Sequence, residues 1–521
     1  MGYNNLSSEE KIDLQDQISK LNAIGIALSS EHDLNKLLEL IVQEARNFTN
    51  ADGGSLYIKE KNKLNFTVAQ TASLEKRGGQ RQPFKSFYLP LTKESIAGYV
   101  AVTGEILNII DVYHIPPTVE YKCNKEFDIK TGYRSKSMLV VPMRDHTDEI
   151  IGVLQLINSL DGRNEVIPFK SEYESLILSL ASQAAVAIRN AKLIEEIKNL
   201  FRSLVRYSAR AIDARSPHTA GHSGRVAKYS VRIAQAINEE TDGRLGRINF
   251  TAQEIEELRM AAWLHDMGKI GVKESILEKI TKLTEDQIEV ISERFDSIKY
   301  SIKNRYLTEK VQLINQGKND PLTLNELDKE LTKELKTIDD FLKFIRRINI
   351  PGYLSEDDQA LLRNIAEQTF INSHGEECYY LTQKEYENLS IIQGNLTESE
   401  YKEIQSHVDQ TLSILKKIPF TKDLQGIPKY AAAHHEYLNG TGYPKGLVDH
   451  EIPMQSRIMC IADIYDALSS PDRPYKKALS LERTLDILRQ EVKAGKLDGD
   501  IVELFIRKKL YHRPSLDDDD E

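Results

Sequence analysis

Six of the chain's twelve histidines fall in a few short motifs of its second half. SPHTAGHSGRV (216–226) carries His218 and His222, and AAWLHDMGKIGV (261–272) carries His265, Asp266 and Lys269. ESEYKEIQSHV (398–408) carries His407, AAAHHEYLNGTGYPKGL (431–447) carries His434 and His435, and IADIYDALSSPDRPYKKA (461–478) carries Asp463 and Asp466. Taken singly, a histidine on a helix is more often a surface residue or a satisfied core residue. The pair His265-Asp266 is different, because it reads as part of an apolar helix with Leu258, Met260, Ala261, Ala262, Trp263 and Leu264. A carboxylate there is costly unless it is paired or binds a metal. Lys269 lies three residues after Asp266 and four after His265, which puts the three on one helix face.

Imidazole nitrogen and carboxylate oxygen together suit borderline divalent ions such as Fe, Mn, Zn or Ni. Only three cysteines occur, Cys123, Cys378 and Cys460, far apart and without CxxC spacing. A structural thiolate zinc site is therefore excluded, a disulfide framework is not expected, and a hydrolytic centre in a reducing compartment is favoured. Two ions about 3.5–4 Å apart can clamp a phosphodiester for in-line attack. A bridging carboxylate holds such ions together, and a nearby lysine neutralises charge growing on the phosphoryl oxygens.

Charge narrows the substrate. With 69 basic against 79 acidic residues the net charge is −10. A broad nucleic-acid surface, which rests on many Lys/Arg–phosphate contacts, is not expected. A small anionic substrate needs only a local basic pocket. The first residues, MGYNNLSSEEKID, carry no apolar stretch of the export type, and no run approaches the ~18 apolar residues of a membrane span. The expected compartment is the cytoplasm.

The elements that must position these residues divide along the chain. Residues 18–168 read as an α+β unit, with a helix from Leu28 to Phe48. Strand-like runs follow at Gly54–Ile58, Leu64–Ala69, Ser86–Leu91, Ile106–Ile110, Met138–Met143 and Ile150–Ile157. Residues 169–205 read as a connector helix. Its apolar seam, Leu180, Ala184, Ala187, Ala191, Ile194, Ile197, Phe201 and Leu204, has coiled-coil-like spacing and predicts a homodimer. Residues 206–513 read as all-α, interrupted by a polar helical insertion at 281–396, and 514–521 form an acidic tail.

HDxGK at 265–269, with HHExxxGxGYP at 434–444, resembles the HD-GYP family of bacterial cyclic-dinucleotide phosphodiesterases. That resemblance implies an all-helical HD-domain fold and hydrolysis of cyclic di-GMP to pGpG and/or GMP. Two alternatives stay open: cyclic GMP–AMP as the substrate, or a regulatory scaffold that binds a cyclic dinucleotide without cutting it. Carried over, His222, His265, Asp266 and Asp463 would hold one ion. His407, His434 and His435 would hold a second, with Asp266 bridging and Fe or Mn as the expected metals. Family members with three ions carry a Glu where this chain has His218, which makes His218 a candidate third-metal ligand. Lys269, Asp266 and His265 are the catalytic candidates. Lys269, Gly442, Tyr443, Pro444, Arg473 and Lys476 would meet the substrate. Glu436 and Asp466 would orient metal-bound imidazoles. An apparent extra residue near Pro471 departs from the family pattern.

FDIKTGYRSKSMLVVPMR (127–144) and EIIGVLQLINSLDG (149–162) resemble GAF domains, most closely those that bind cyclic nucleotides. Asn158, Phe169 and Glu174 match that subtype, whereas Ser159 and Tyr173 replace its lysine and first acidic residue. A sensor GAF with a small-molecule ligand of unknown identity is the expectation for this half.

Overall fold

A computed structural model describes residues 8–31, 33–76, 87–214, 221–318, 320–470 and 479–512. His218, Pro471, Arg473, Lys476 and the acidic tail lie outside the described residues. The chain divides into two compact units, Met1–Phe201 and Arg202–Glu521. Among the described residues no helix is long and apolar enough to cross a membrane.

The first unit opens with α1 (Ser8–Ser30) and α2 (Leu34–Thr49). The single helix expected from Leu28 to Phe48 is thus two. The Asp33 carboxylate accepts the backbone N–H groups of Asn35 and Lys36, which starts a new helix at Leu34. A sheet follows: β1 (Ala51–Glu60), β2 (Lys63–Thr71), the short helix α3 (Ala72–Lys76), β3 (Phe87–Pro90), α4 (Ile96–Thr103), β4 (Leu107–Ile109), α5 (Glu126–Thr131), β5 (Met138–Arg144), β6 (Ile150–Leu160) and β7 (Val166–Ile167). The strand order is β3-β2-β1-β6-β5-β4, with β7 added to β6. The register pairs Gly54 with Leu156 and Val141 with Leu154, antiparallel in both cases.

Alternation along the strands divides the apolar residues between two faces. Leu56, Leu139, Val141, Leu154 and Leu156 pack with Leu37, Leu38 and Ile41 of α2 and with Ile177, Leu180, Ala184 and Ile188. Tyr57, Leu64, Phe66, Met138, Val140 and Val153 pack with Ile96, Ala97 and Val100 of α4. The residues from 177 to 188 belong to α6 (Glu172–Asp213), which continues past the division between the units. Its first half is therefore core of the N-terminal unit. Leu193, Ile197, Leu200, Leu204 and Tyr207 further along are exposed.

The second unit contains α7 (His222–Asn238), α8 (Ala252–Leu264), α9 (Glu274–Leu277), α10 (Glu285–Asn315), α11 (Pro321–Asn349), α12 (Glu356–Glu367), α13 (Gln383–Leu389), α14 (Glu398–Leu415), α15 (Ile427–Ala431), α16 (Met454–Ser469), α17 (Leu481–Lys493) and α18 (Gly499–Arg507). It is not purely helical. A hairpin, β8 (Thr369–Ile371) with β9 (Glu377–Tyr379), sits between α12 and α13. Phe370, inside the 281–396 stretch expected to be helical, lies on β8. The elements α10 to α13 share a core of their own, including Ile291, Phe295, Ile298, Phe344, Ile345, Leu362, Ile365 and Leu389. The motif-bearing helices form the other group, in which α7 packs on α8 and α16, and α14 and α15 close over the end of α8.

Candidate metal centre

A capping box between Thr251 and Glu254 starts α8. The α-helix ends at Leu264, so His265 is its C-cap and Asp266 lies beyond it, contrary to the expected continuous helix. A side chain from another helix accounts for the stop. The Thr411 hydroxyl on α14 donates to the His265 carbonyl at 3.0 Å and accepts from Gly268 N–H at 2.8 Å. The groups that a further helical turn would have satisfied are met by Thr411 instead. Residues 267–271 then form a 3-10 turn carrying Lys269, whose Nζ lies 2.5 Å from Asp266 Oδ2.

Three elements place the remaining histidines. His222 is the first residue of α7, His407 lies inside α14, and His434 and His435 follow α15. Asp463 and Asp466, three residues apart, share one face of α16. The Asp213 carboxylate at the end of α6 accepts Ser223 N–H and Oγ–H, which anchors the first turn of α7 beside His222.

The donor atoms converge. His222, His265 and Asp266 form one group and His407, His434 and His435 a second, each with its ligand atoms within 4.8 Å of one another. Asp266 lies between the groups. Its Oδ2 is 3.4 Å from His265 Nε2 and 3.7 Å from His222 Nε2, and its Oδ1 is 3.4 Å from His407 Nε2. Asp463 also faces both: Oδ1 is 3.1 Å from His222 Nε2 and Oδ2 is 4.0 Å from His435 Nδ1.

Whether these residues suit metal ions is decided by their unused atoms. Nδ1 of His265, His407 and His434 each pairs with the backbone carbonyl three residues earlier, at 2.7, 2.6 and 2.6 Å. That places the proton on Nδ1 and the lone pair on Nε2. Nε2 of all three, together with Asp266 Oδ1, is buried without a hydrogen-bond partner. Four orphaned acceptors in one buried site would be expensive in an apolar core. Metal–ligand bonds of about 2.1 Å place neighbouring donors roughly 3–3.5 Å apart, close to the spacing around Asp266.

Electrostatics agree. Burial holds His434 well below the ordinary imidazole range, with His435 and His265 adding to it. Burial likewise pushes His435 down to about 4 and lowers His407. All three stay neutral and able to coordinate. Burial opposes charge on Asp266 as well, but Lys269 first, then His265, His407 and His222, keep its carboxyl well below the usual carboxylate range. His222 goes the other way. Despite burial, Asp463 and Asp466 raise it to about 10, so an ion at its Nε2 would displace a proton.

The other expected residues occupy the rim. The Tyr443 ring stacks on His435, with centroids 4.7 Å apart and an interplanar angle of 28°. A Cβ on Gly442 would lie 2.5 Å from His435 O and from Glu436 Cα, so the 442–444 loop runs directly over the His435 backbone. Pro444 follows Tyr443 through a cis peptide. Asp466 Oδ2 does meet His222 Nδ1, at 2.7 Å. Glu436 does not orient an imidazole. Its carboxylate accepts Lys445 N–H at 2.8 Å and Leu447 N–H at 2.9 Å, holding the loop down instead. Thr411, Asp213 and Arg225 were not singled out by sequence reasoning. For Arg225 a signal existed: an arginine one turn after a candidate ligand, among the apolar residues of α7.

The GAF-domain family matches residues 33–188, the HD-domain family matches 219–341, and a second HD-domain family matches 384–501. The chain joins a GAF domain to an HD domain. A 3'3'-cGAMP-specific phosphodiesterase 1 of Vibrio cholerae serotype O1 is 33% identical over 165 residues, 30% of this chain and 37% of that protein. The 3'3'-cGAMP-specific phosphodiesterase 3 of the same organism is 41% identical over 99 residues, 19% of this chain and 21% of that protein. A dual 3',5'-cyclic-AMP and -GMP phosphodiesterase 11 of Drosophila melanogaster is 29% identical over 182 residues, 32% of this chain and 12% of that protein. The chain thus spans little more than a third of the first relative's length. These matches agree with an HD-GYP-type protein carrying an N-terminal GAF domain.

In the GAF domain, the residues that carried the cyclic-nucleotide resemblance serve its own packing. Asn158 accepts Lys136 N–H at 2.7 Å and donates to Tyr133 OH and Arg134 O, both at 2.9 Å. Phe169 is core, and Glu174 accepts from Asn108 at 2.9 Å.

Proposed function

We propose that the chain is a metal-dependent phosphodiesterase that opens a cyclic dinucleotide, acting in the cytoplasm under the control of its GAF domain. The observation that carries this reading is the set of convergent, buried and otherwise unsatisfied donors around Asp266. Two divalent ions, Fe or Mn as the HD-GYP resemblance implies, would be held by His222, His265, Asp266 and Asp463 on one side and by His407, His434 and His435 on the other. Bound there, they would supply Lewis-acid charge and lower the proton affinity of water. The protein's own part is positional. Asp266 presents one oxygen to each group of histidines. Lys269, partly exposed beside it, can offer its free N–H bonds to phosphoryl oxygens. Tyr443 offers a ring face at the rim. Arg473 and Lys476 would add positive charge for the substrate phosphates. The three cysteines are free, which suits a reducing compartment.

For the substrate, both Vibrio relatives are named for 3'3'-cGAMP, which favours cyclic GMP–AMP over cyclic di-GMP. The deciding assay incubates the metal-loaded chain with each cyclic dinucleotide and separates the products. Linear dinucleotide is expected, faster from cyclic GMP–AMP. Full metal loading with no product from either would leave the binding-scaffold reading.

The partner proposed for the connector is a second copy of the chain. Leu193, Ile197, Leu200, Leu204 and Tyr207 recur at spacings of 4, 3, 4 and 3, all exposed. That is the heptad seam of a two-stranded coiled coil, and it differs from the expected seam because Leu180 to Ala191 are already core. Leu200→Glu is expected to convert a dimer into a monomer in sedimentation equilibrium. A wild-type monomer at micromolar concentration would remove the proposal.

A further inference from the structure

Three of the site's histidines have their tautomer set by their own backbone, through a carbonyl three residues earlier. His222, the first residue of α7, is placed by another device. Its Nδ1 instead meets Asp466 Oδ2, on α16, at 2.7 Å. A backbone carbonyl is held by its helix. A carboxylate on a side chain can rotate, so it must itself be held if it is to fix an imidazole.

Arg225 does the holding. It lies on α7 three residues after His222, and it is 7% exposed. Its Nε donates to Asp466 Oδ1 at 2.7 Å and its Nη2 to Asp466 Oδ2 at 3.1 Å, a two-point grip that sets the carboxylate plane. Nη2 also donates to Ser470 Oγ at 2.9 Å, and Ser470 caps α16 with its N–H on Asp466 O. The guanidinium is thus fixed at both ends, and Asp466 Oδ2 is left facing His222.

We propose that Arg225 is a positioning residue for the metal centre: through Asp466 it fixes Nδ1 and the ring orientation of His222, so that Nε2 faces Asp266 and Asp463 and is the atom offered to an ion. The assignment rests on the two-ion reading and adds to it a residue outside the ligand set. A lysine could neutralise Asp466 but could not grip both oxygens.

The test is a Mn2+ titration of the metal-free full chain by calorimetry, beside thermal melting. Wild type is titrated first; failure to bind two ions would overturn the two-ion reading itself, before Arg225 is touched. In a His434→Ala background, where the ion near His222 reports alone, Arg225→Gln is expected to weaken Mn2+ binding about ten- to hundredfold. Arg225→Lys should recover only part of that loss. In a His222→Ala background, Arg225→Gln should leave the remaining ion within about twofold of its reference. An unchanged affinity in the first background, or equal losses in both, would overturn the assignment and reduce Arg225 to a buried ion pair. If Arg225→Gln fails to fold, Asp466→Asn takes its place. It should reproduce the one-sided loss, and making Arg225→Lys on top of it should change affinity by less than about twofold. Additive losses would count against action through Asp466.

Discussion

An Asp266→Asn chain is expected to lose turnover by roughly a thousandfold or more and to fall from about two bound ions to one or none. The carboxylate faces both histidine groups at 3.4 Å, Oδ2 toward His265 and Oδ1 toward His407. An amide keeps the volume but offers one weaker acceptor and an NH2 group, which points protons at a lone pair or at an ion. The effect on the fold should be small. Asp266 Oδ1 has no hydrogen-bond partner, and leaving such an oxygen buried costs about 1–3 kcal/mol already. Lys269, which loses its counter-charge, is partly exposed and can turn to water. Melting with and without Mn2+ separates the two roles. Wild type should gain about 2.7 kcal/mol per bound ion at a free ion concentration a hundred times the dissociation constant, whereas the variant gains little. A variant that still gains stability from Mn2+ and still turns over would remove Asp266 from the centre.

What was legible in the sequence was chemistry of type. His265-Asp266 stood out because a carboxylate is hard to place in an apolar helix without a task, His434-His435 and Asp463 stood out through the resemblance to the HD-GYP motifs, and the structure gathers them. The β-sheet of the GAF domain was legible as short apolar runs bounded by turn residues, such as Met138–Met143 and Ile150–Ile157, which the structure buries on both faces. The break at Asp33 was written as an N-cap before an apolar helix, and the 369–379 hairpin as a turn at His374-Gly375. Both were overlooked because their elements are bounded by one or two residues within longer helical patterns. The partnerships could not be read at all. Thr411 acts on His265 and Gly268 across more than 140 positions, and Arg225 acts on Asp466 across 241. Periodicity reports the face a residue occupies and carries no term for what lies opposite. Glu436 shows the same limit, since the family resemblance suggested an imidazole partner while its carboxylate meets the backbone at 445 and 447.

Gly268→Ala tests the most demanding of those unseen contacts, and it is expected to cost about a hundredfold in turnover without touching a ligand. A Cβ at position 268 would lie 2.6 Å from Thr411 N and closer still to His407 O, both backbone atoms of α14. No side-chain rotation can relieve that clash, so α14 must withdraw by about 1 Å, and His407 withdraws with it. A misplacement of that size at a reacting centre costs about two orders of magnitude. The same movement stretches the Gly268–Thr411–His265 hydrogen bonds that end α8, and overpacking of this kind destabilises by about 1–3 kcal/mol. Metal content should report where the damage lies. The ion near His222 and His265 should be retained more tightly than the one near His407, because only α14 is displaced. Thr411→Val is the control: it removes both hydrogen bonds, at about 1–3 kcal/mol for the buried groups left unpaired, but leaves the backbone approach open. Turnover in Thr411→Val should therefore fall less than in Gly268→Ala. The reverse order would mean that the hydroxyl bridge, not the close approach of α14 to Gly268, sets the distance between the two halves of the centre.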